Sequence, residues 1–156
     1  MGIAHERRAP QPDLSPGPTM LYLVKQVELA IRTRLDDLVR PADLTALQYT
    51  AMTVLERQSD LTAARLARRS FVTAQSMADM VTALLDRGLV ERRRDPADGR
   101  RLLLALTATG QRVLDEYRPK VAALEARMLH DLSATEAMEL RRVLESCRAA
   151  LVEWAP

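Results

Sequence analysis

Arginine side chains cluster in one stretch of this 156-residue chain. Between Thr62 and Arg101 there are nine arginines and five acidic residues, a local net charge of +4. The remainder carries fourteen basic and sixteen acidic residues, so the overall charge of +2 originates in that stretch. Guanidinium groups pair well with phosphate oxygens, and a concentrated positive surface is typical of proteins that bind a polyanion. A solvated arginine-rich surface without a partner is the alternative, and charge alone does not decide between the two.

Part of this cluster surrounds a run of turn formers, Asp95-Pro96-Ala97-Asp98-Gly99. Short strands are predicted on both sides, over 89–93 and 101–106, which makes the segment a β-hairpin. Asp95 and Asp98 are expected to hold the turn by accepting backbone hydrogen bonds and to orient neighbouring guanidinium groups. Cations on such a tip can bind phosphates or enter a narrow minor groove, and here they are Arg92, Arg93, Arg94, Arg100 and Arg101. The alternative is a charged edge that discourages strand aggregation.

Two short helices are predicted directly before the hairpin, one near 60–67 and one that begins after Thr73. In a helix-turn-helix, the second helix buries one side and presents the other to base edges in the major groove. Gln75 is suited to an adenine edge, and Ser76 is a less selective donor or acceptor. An ordinary amphipathic helix with a solvated polar side is the alternative. The expected outward side consists of Ala74, Gln75, Ala78, Asp79, Thr82 and Ala83.

The predicted order is four helices, a hairpin and two further helices. This fold class is mainly α with a small β-hairpin, a winged helix-turn-helix core flanked by N- and C-terminal helices. Residues 1–18 are rich in proline and poor in apolar side chains, so we expect a flexible arm. Residues 41–106 form the expected DNA-binding lobe. The helices of 19–40 and 107–156 carry apolar stripes that so small a core cannot cover, which predicts a homodimer.

The hairpin from Leu89 to Arg101 and the following Leu106-Thr107-Ala108-Thr109-Gly110 resemble the wing and post-wing helix start of the multiple-antibiotic-resistance regulator (MarR) family. Leu61–Ala67 and Val72–Met77 resemble its helix-turn-helix segments, and the likeness extends from Thr19 to the C-terminus. The resemblance implies a dimer, joined through the first, fifth and sixth helices, that binds a palindromic operator. It also implies a repressor that a small aromatic or anionic ligand releases from double-stranded DNA.

Carried over by position, the resemblance places Arg100, together with Arg101, at the wing tip and Arg68 and Arg69 at phosphates. The complete set of expected DNA-binding residues is Thr73, Ala74, Gln75, Ser76, Asp79, Arg68, Arg69, Arg94, Arg100 and Arg101. Many members have an arginine where this chain has Asp79, and an Asp-Arg pair at Thr82-Ala83. An acid repels phosphate, although it can accept a hydrogen bond from a cytosine amino group. The operator of this protein is therefore expected to differ from those of the better-known members.

The family's effector site lies between the dimer helices and the DNA-binding lobe. Arg32 on the first helix and Tyr49 and Met52 on the second are candidates, because these side chains could face that cleft. Ordinary packing or a solvated cation is the alternative for each of them. Whether the protein represses or activates depends on the position of the operator.

Other classes of function have less support in the sequence. His5 and His130 lack an acid–base or nucleophilic partner at catalytic spacing, and no Gly-rich phosphate loop is present, so no enzyme is expected. The same histidines and Cys147 are too scattered for a metal site, and no cofactor is expected. Cys147 lies on the apolar stripe of the last helix, where packing is favoured over oxidation between subunits.

A single cysteine, no apolar run long enough to span a bilayer and no secretory signal predict a cytoplasmic protein. A helical interaction module that does not bind DNA is the last alternative. It explains the terminal helices but leaves the clustering of arginines unexplained. DNA binding weakens steeply with salt, so a salt titration separates the two hypotheses.

Overall fold

The computed structural model describes residues 17–153, with the backbone alone for the last of these. The predicted arm of residues 1–18 thus lies almost wholly outside the described residues. The described part contains α1 (Met20–Val39), a 3-10 turn (Arg40–Ala42), α2 (Ala46–Arg57), α3 (Ala63–Arg69), α4 (Ala74–Asp86), β1 (Val90–Arg94), β2 (Leu102–Leu106), α5 (Ala108–Met128) and α6 (Ala134–Glu153). The predicted order of helices and hairpin is confirmed.

Hydroxyl side chains define where the helices begin. Thr45 forms a reciprocal capping box with Gln48, and Ser133 forms another with Glu136. The Ser133 backbone and hydroxyl both donate to Glu136, and these bonds lower the pKa of its carboxyl. The other N-caps are Thr19, Thr62, Thr73 and Thr107. Each such cap stabilises its helix by about 1 kcal/mol, so local sequence sets these boundaries.

The hydrophobic core lies within the winged lobe and the helices that touch it. It is built mostly from aliphatic side chains, since the chain is only 3% aromatic. Its largest fully buried side chains are Val39, Met52, Leu55, Leu61, Leu66, Met77, Val81, Leu84, Leu104 and Leu114. These residues come from α1, α2, α3, α4, β2 and α5 and from the segment before α3, so the lobe and the first turns of α5 form one packed unit.

The hairpin is antiparallel, with Val90 opposite Leu106 and Arg94 opposite Leu102. A third segment joins its base where Leu104 donates to the Leu61 carbonyl at 2.8 Å. Asp60 donates back to the Leu104 carbonyl at 3.0 Å. The wing is therefore anchored to the chain immediately before α3.

The terminal helices leave large apolar side chains uncovered in the single chain. On α1, apolar side chains from Met20 to Ile31 are exposed. No residue of α6 within the described side chains is buried. Its exposed apolar residues include Met138, Val143, Leu144, Leu151 and Val152. None of the helices in residues 17–153 is long and apolar enough to cross a bilayer.

Candidate nucleic-acid interface

The helix-turn-helix turn reverses the chain between α3 and α4 within a few residues. Ser70 donates to the Leu66 carbonyl and Val72 donates to the Ala67 carbonyl, at 2.9 and 3.1 Å. Phe71, which lies between Ser70 and Val72, has a left-handed backbone conformation with φ of 56°. That conformation is unfavourable for a bulky side chain, and such strain persists only where the surroundings enforce it. The Phe71 ring projects into solvent and is 74% exposed.

One side of α4 is buried and the other is open, as the sequence predicts. Met77, Val81 and Leu84 pack into the core and are at most 2% exposed. The expected outward residues are exposed, except for the half-buried Ala83, and they are Ala74, Gln75, Ala78, Asp79 and Thr82. The side of α4 that the sequence assigns to DNA is thus accessible.

Two hydrogen bonds organise the polar groups on that side. Gln75 donates from Nε2 to Asp79 Oδ1 at 3.3 Å, one helical turn away. Thr73 Oγ1 donates to Ser76 Oγ at 3.0 Å and accepts from the Ser76 backbone. Asp79, at a position where many members of the family have an arginine, therefore orients the Gln75 amide. The Ser76 hydroxyl is partly engaged by the N-cap residue Thr73.

The wing tip is held by its two aspartates. Asp95 Oδ1 accepts from the Ala97 N–H at 2.9 Å, and Asp98 Oδ1 accepts from the Arg100 N–H at 3.1 Å. The backbones of Asp95 and Asp98 also bond to the Arg101 backbone. The expectation that these carboxylates hold the turn is confirmed.

The expectation that the same carboxylates orient guanidinium groups is wrong. Arg93 pairs with Asp60 on the lobe, with 3.1 Å between Nε and Oδ1. Arg94 donates to the Gly99 carbonyl at 2.9 Å, across the tip. The aspartate oxygens are engaged by backbone N–H groups in the turn, so the guanidinium groups find other acceptors.

Most arginines of the basic stretch are exposed and uncompensated. Among the ion pairs of residues 17–153, Arg93 is the one member of this stretch that contributes a cation. Arg87 is structural, because it donates to the Asp43 carbonyl at 2.6 Å and to the Ala42 carbonyl, tying the end of α4 to the 3-10 turn. Apart from Arg87, the exposed arginines between Thr62 and Arg101 that have no carboxylate partner within residues 17–153 are Arg65, Arg68, Arg69, Arg92, Arg94, Arg100 and Arg101.

The start of α5 packs directly on the turn that links α4 to the wing. Thr107 Oγ1 donates to the Gly88 carbonyl at 2.6 Å, and the Thr107 N–H donates to the Leu89 carbonyl at 3.1 Å. A Cβ on Gly110 would lie 2.1 Å from the Leu89 carbonyl oxygen. Only glycine fits at this contact, which couples α4, the wing and α5.

The three expected effector residues lie in different environments. Arg32 is exposed, pairs with Glu28 at 2.6 Å, and lines a cavity of about 290 Å³ between α1, α2 and α6. Tyr49 is 6% exposed, and burial raises the pKa of its hydroxyl. Met52 is 0% exposed and belongs to the core, so the expectation that it faces a cleft is wrong. For Met52 the alternative of ordinary packing is confirmed.

A polar network between α2 and α5 was not predicted. Glu56 accepts from Arg118 at 2.5 Å and from Gln111 at 2.7 Å. Asp115 accepts from the same two side chains at 2.9 and 3.0 Å. These hydrogen bonds lower the pKa of both carboxyls and raise the pKa of Arg118. The spacing of Gln111, Asp115 and Arg118 shows a shared helix face, but nothing local points to Glu56.

Comparison with known proteins agrees with this geometry. A model of the MarR family matches residues 42–101. The HTH-type transcriptional repressor Rv2887 of Mycobacterium tuberculosis is 32% identical over 124 residues, which are 80% of this chain and 89% of that protein. Its crystal structure with salicylic acid has a TM-score of 0.69 at 30% identity, over 85% of this chain and 98% of that chain.

A mutant of MarR from E. coli in complex with operator DNA has a TM-score of 0.71 at 25% identity. The match covers 80% of this chain and 90% of that chain. The matched proteins named here are transcription regulators and not enzymes. The chain shares the winged helix architecture of the solved structures. It belongs to the MarR family of transcription regulators.

Proposed function

We propose that this chain is a homodimeric, sequence-specific transcription repressor that binds a palindromic operator in the cytoplasm and is released by a small ligand. The observation that carries the proposal is the accessible side of α4 in a stretch whose arginines, apart from Arg93, have no carboxylate partner within residues 17–153. Unpaired guanidinium groups bind DNA phosphates by releasing condensed counterions. The likeness to a MarR bound to operator DNA supports this assignment.

In this proposal, α4 is the element that recognises bases. Gln75 can present both amide groups to an adenine, and the small Ala74 allows close approach to a thymine methyl group. Asp79 orients Gln75 through their hydrogen bond and is itself an acceptor for a cytosine amino group. Thr73 and Ser76 lie at the start of α4, the part of a recognition helix that contacts bases.

Phosphate binding falls to the wing and the turn. Arg94, Arg100 and Arg101 are exposed on the hairpin, and Arg68 and Arg69 end α3. Contacts of this kind position a protein on the duplex and carry no direct sequence information. Their loss is expected to weaken binding to all sequences alike.

In this proposal, residues 19–40 and 107–156 mediate dimerisation, and residues 41–106 form the DNA-binding lobe. The exposed apolar faces of α1 and α6 support this division, because a monomer rarely leaves so much contiguous apolar surface in water. Twofold pairing also gives two copies of α4, which matches a palindromic site.

Effector release is supported by a relative with salicylic acid and by a structural neighbour, CouR of Rhodococcus jostii, with p-coumaroyl-CoA. In this chain the cavity beside Arg32 offers apolar walls and one cation near the rim. Arg32 is therefore the candidate that we keep, whereas Tyr49 and Met52 are buried in the core and do not line this cavity. A ligand there acts only if it binds one dimer shape better than the other.

A redox-responsive regulator is a second candidate, since Cys147 is exposed in the single chain. Its exposure differs from the packed cysteine that the sequence favours, unless a second copy covers it. Diamide treatment followed by a non-reducing gel tests this alternative. A dimer band that disappears in Cys147→Ser supports it, and an unchanged monomer band excludes it.

The proposed function is tested by fluorescence anisotropy with fragments selected from the protein's own genome and with a random duplex of equal length. We expect tighter binding to the selected fragment and a linear fall of log affinity with log salt on both. No binding to any duplex at low salt would leave the helical interaction module as the better hypothesis.

A further inference from the structure

A cavity of about 580 Å³ lies between the end of α2, the helix-turn-helix turn and the end of α6. Four arginines line it: Arg57 from α2, Arg68 and Arg69 from α3, and Arg148 from α6. None of the described residues that line it is acidic. The remaining lining residues are Val54, Gln58, Phe71 and Val152.

No carboxylate within residues 17–153 neutralises the charges of the four guanidinium groups. None of them takes part in an ion pair or a side-chain hydrogen bond there, whereas Arg32, Arg118 and Arg142 each pair with a carboxylate. Cations gathered around a concave site repel each other and raise the local concentration of anions. The cavity is therefore suited to a ligand that carries several negative charges.

Phe71 adds an apolar surface to this cationic site. Its ring is 74% exposed, and its backbone is held in the left-handed region at φ of 56°. Strained residues of this kind are concentrated at ligand-binding sites and switches. An exposed phenyl ring gains from stacking against another flat ring.

The cavity lies beside the expected dimer stripe of α6 and not on it. That stripe passes through Val143, Cys147 and Leu151. Arg148 follows Cys147 by one residue, which places it about 100° around the helix. Pairing of two copies through the stripe thus leaves Arg148 and Val152 facing the cavity.

We propose that this cavity binds a small organic phosphate that carries a flat ring, such as a nucleoside diphosphate. Guanidinium groups bind phosphate oxygens in pairs, and a diphosphate compensates four cations better than a single carboxylate does. The ring would stack on Phe71. Because Arg68 and Arg69 are also the proposed DNA phosphate contacts, the ligand competes with DNA. This last consequence rests on the proposed function.

Isothermal titration of the full chain with ADP, pyrophosphate and adenosine tests the site. We expect ADP to bind most tightly, pyrophosphate more weakly and adenosine weakest. Arg148→Ala should weaken ADP binding about tenfold, as expected for one charge-assisted contact. Arg127→Ala, which removes an exposed arginine at the end of α5, should leave it unchanged. Phe71→Ala should weaken ADP binding and spare pyrophosphate.

Several results would overturn the proposal. They are no binding of ADP and pyrophosphate at millimolar concentration, equal ADP affinity of wild type and Arg148→Ala, or equal losses in Arg148→Ala and Arg127→Ala. An unchanged ADP affinity in Phe71→Ala would overturn the part that concerns the ring.

Anisotropy with duplex DNA at constant ionic strength tests the competition. Arg148→Ala should bind DNA like wild type when ADP is absent, and about tenfold more ADP should be needed to weaken its DNA binding than to weaken that of wild type. An equal effect of ADP on both proteins would contradict the competition. Failure to bind DNA without ADP would contradict the proposed function and leave the calorimetric result standing.

Discussion

Few groups on the exposed side of α4 can distinguish one base pair from another. Thr73 and Ser76 are hydrogen-bonded to each other, and Ala74 has only a methyl group. Gln75 retains an amide oxygen and a second amide hydrogen when it donates to Asp79. Most direct readout by each copy is therefore expected to depend on this pair.

Gln75→Ala should change the preference at one base pair per half-site, because it removes the amide. The wrong base at that position should then cost about 1–3 kcal/mol less than it costs the wild type. Arg100→Ala is the matched comparison, since loss of a phosphate contact weakens all sequences alike. The measurement is anisotropy on an operator and its single-position variants. Equal effects of the two substitutions on specific and random DNA would contradict these roles.

Arg118→Gln should destabilise the fold in a pH-dependent manner. Hydrogen bonds, first from Arg118 and then from Gln111, lower the pKa of Glu56 and of Asp115 from ordinary values of 4.5 and 3.8. Both carboxyls thus release their protons more readily in the folded state. Their stabilisation is present at neutral pH and is lost as the pH falls through the folded pKa values.

Urea titrations of wild type and Arg118→Gln between pH 7 and pH 3 measure this effect. The gap in the free energy of unfolding should be largest at pH 7 and should shrink as both carboxyls become protonated. Arg112→Gln, which removes an exposed arginine nearly two turns earlier on α5, is the control. A gap that stays constant over this range would exclude the carboxylates as its source.

At the level of elements, the packing of α5 on the wing explains how the winged lobe is joined to α5, one of the proposed dimer helices. Gly110→Ala should destabilise the protein by about 1–3 kcal/mol, the usual cost of forcing an extra methyl group into a packed site. Its Cβ would lie 2.1 Å from the Leu89 carbonyl oxygen, which is backbone and cannot swing aside. Thr109→Ala changes an exposed neighbour and serves as control. Equal urea midpoints for the two variants would show that Gly110 is not packed tightly against the Leu89 carbonyl oxygen.

Elements were predictable where their signals are local. The caps at Thr45 and Thr73, the turn at Asp95 and Asp98, and the apolar periods of the helices each involve residues within one or two turns. Three of the four strand ends differ from expectation by one residue, because the pairing of Val90 with Leu106 and of Arg94 with Leu102 sets the limits of the ladder.

Individual partners were less predictable, because they depend on residues distant in the sequence. The network of Glu56 with Arg118 spans 62 positions, and Arg87 reaches Asp43 over 44 positions. Sequence reasoning therefore identified the exposed and buried sides of α4 but not the long-range polar contact through which Arg87 holds its end.

At the scale of the whole molecule, the terminal helices should assemble two copies. Leu151→Glu, on the exposed stripe of α6, should shift the protein towards monomer and abolish tight operator binding, because each half-site alone binds weakly. Arg142→Glu introduces the same side chain on another face and should remain dimeric. Analytical ultracentrifugation measures both. A dimer that tolerates Leu151→Glu at micromolar concentration would place the interface elsewhere.

The central claim is that two paired copies of α4 enter the major groove of one duplex, flanked by their wings. Hydroxyl-radical footprinting on a selected operator tests it most directly. We expect two symmetric protected regions whose centres are about one helical turn, 10–10.5 base pairs, or a multiple of it apart. In Arg100→Ala, the flanking protection should weaken while the centres persist. A single asymmetric footprint, or protection independent of sequence, would contradict the account.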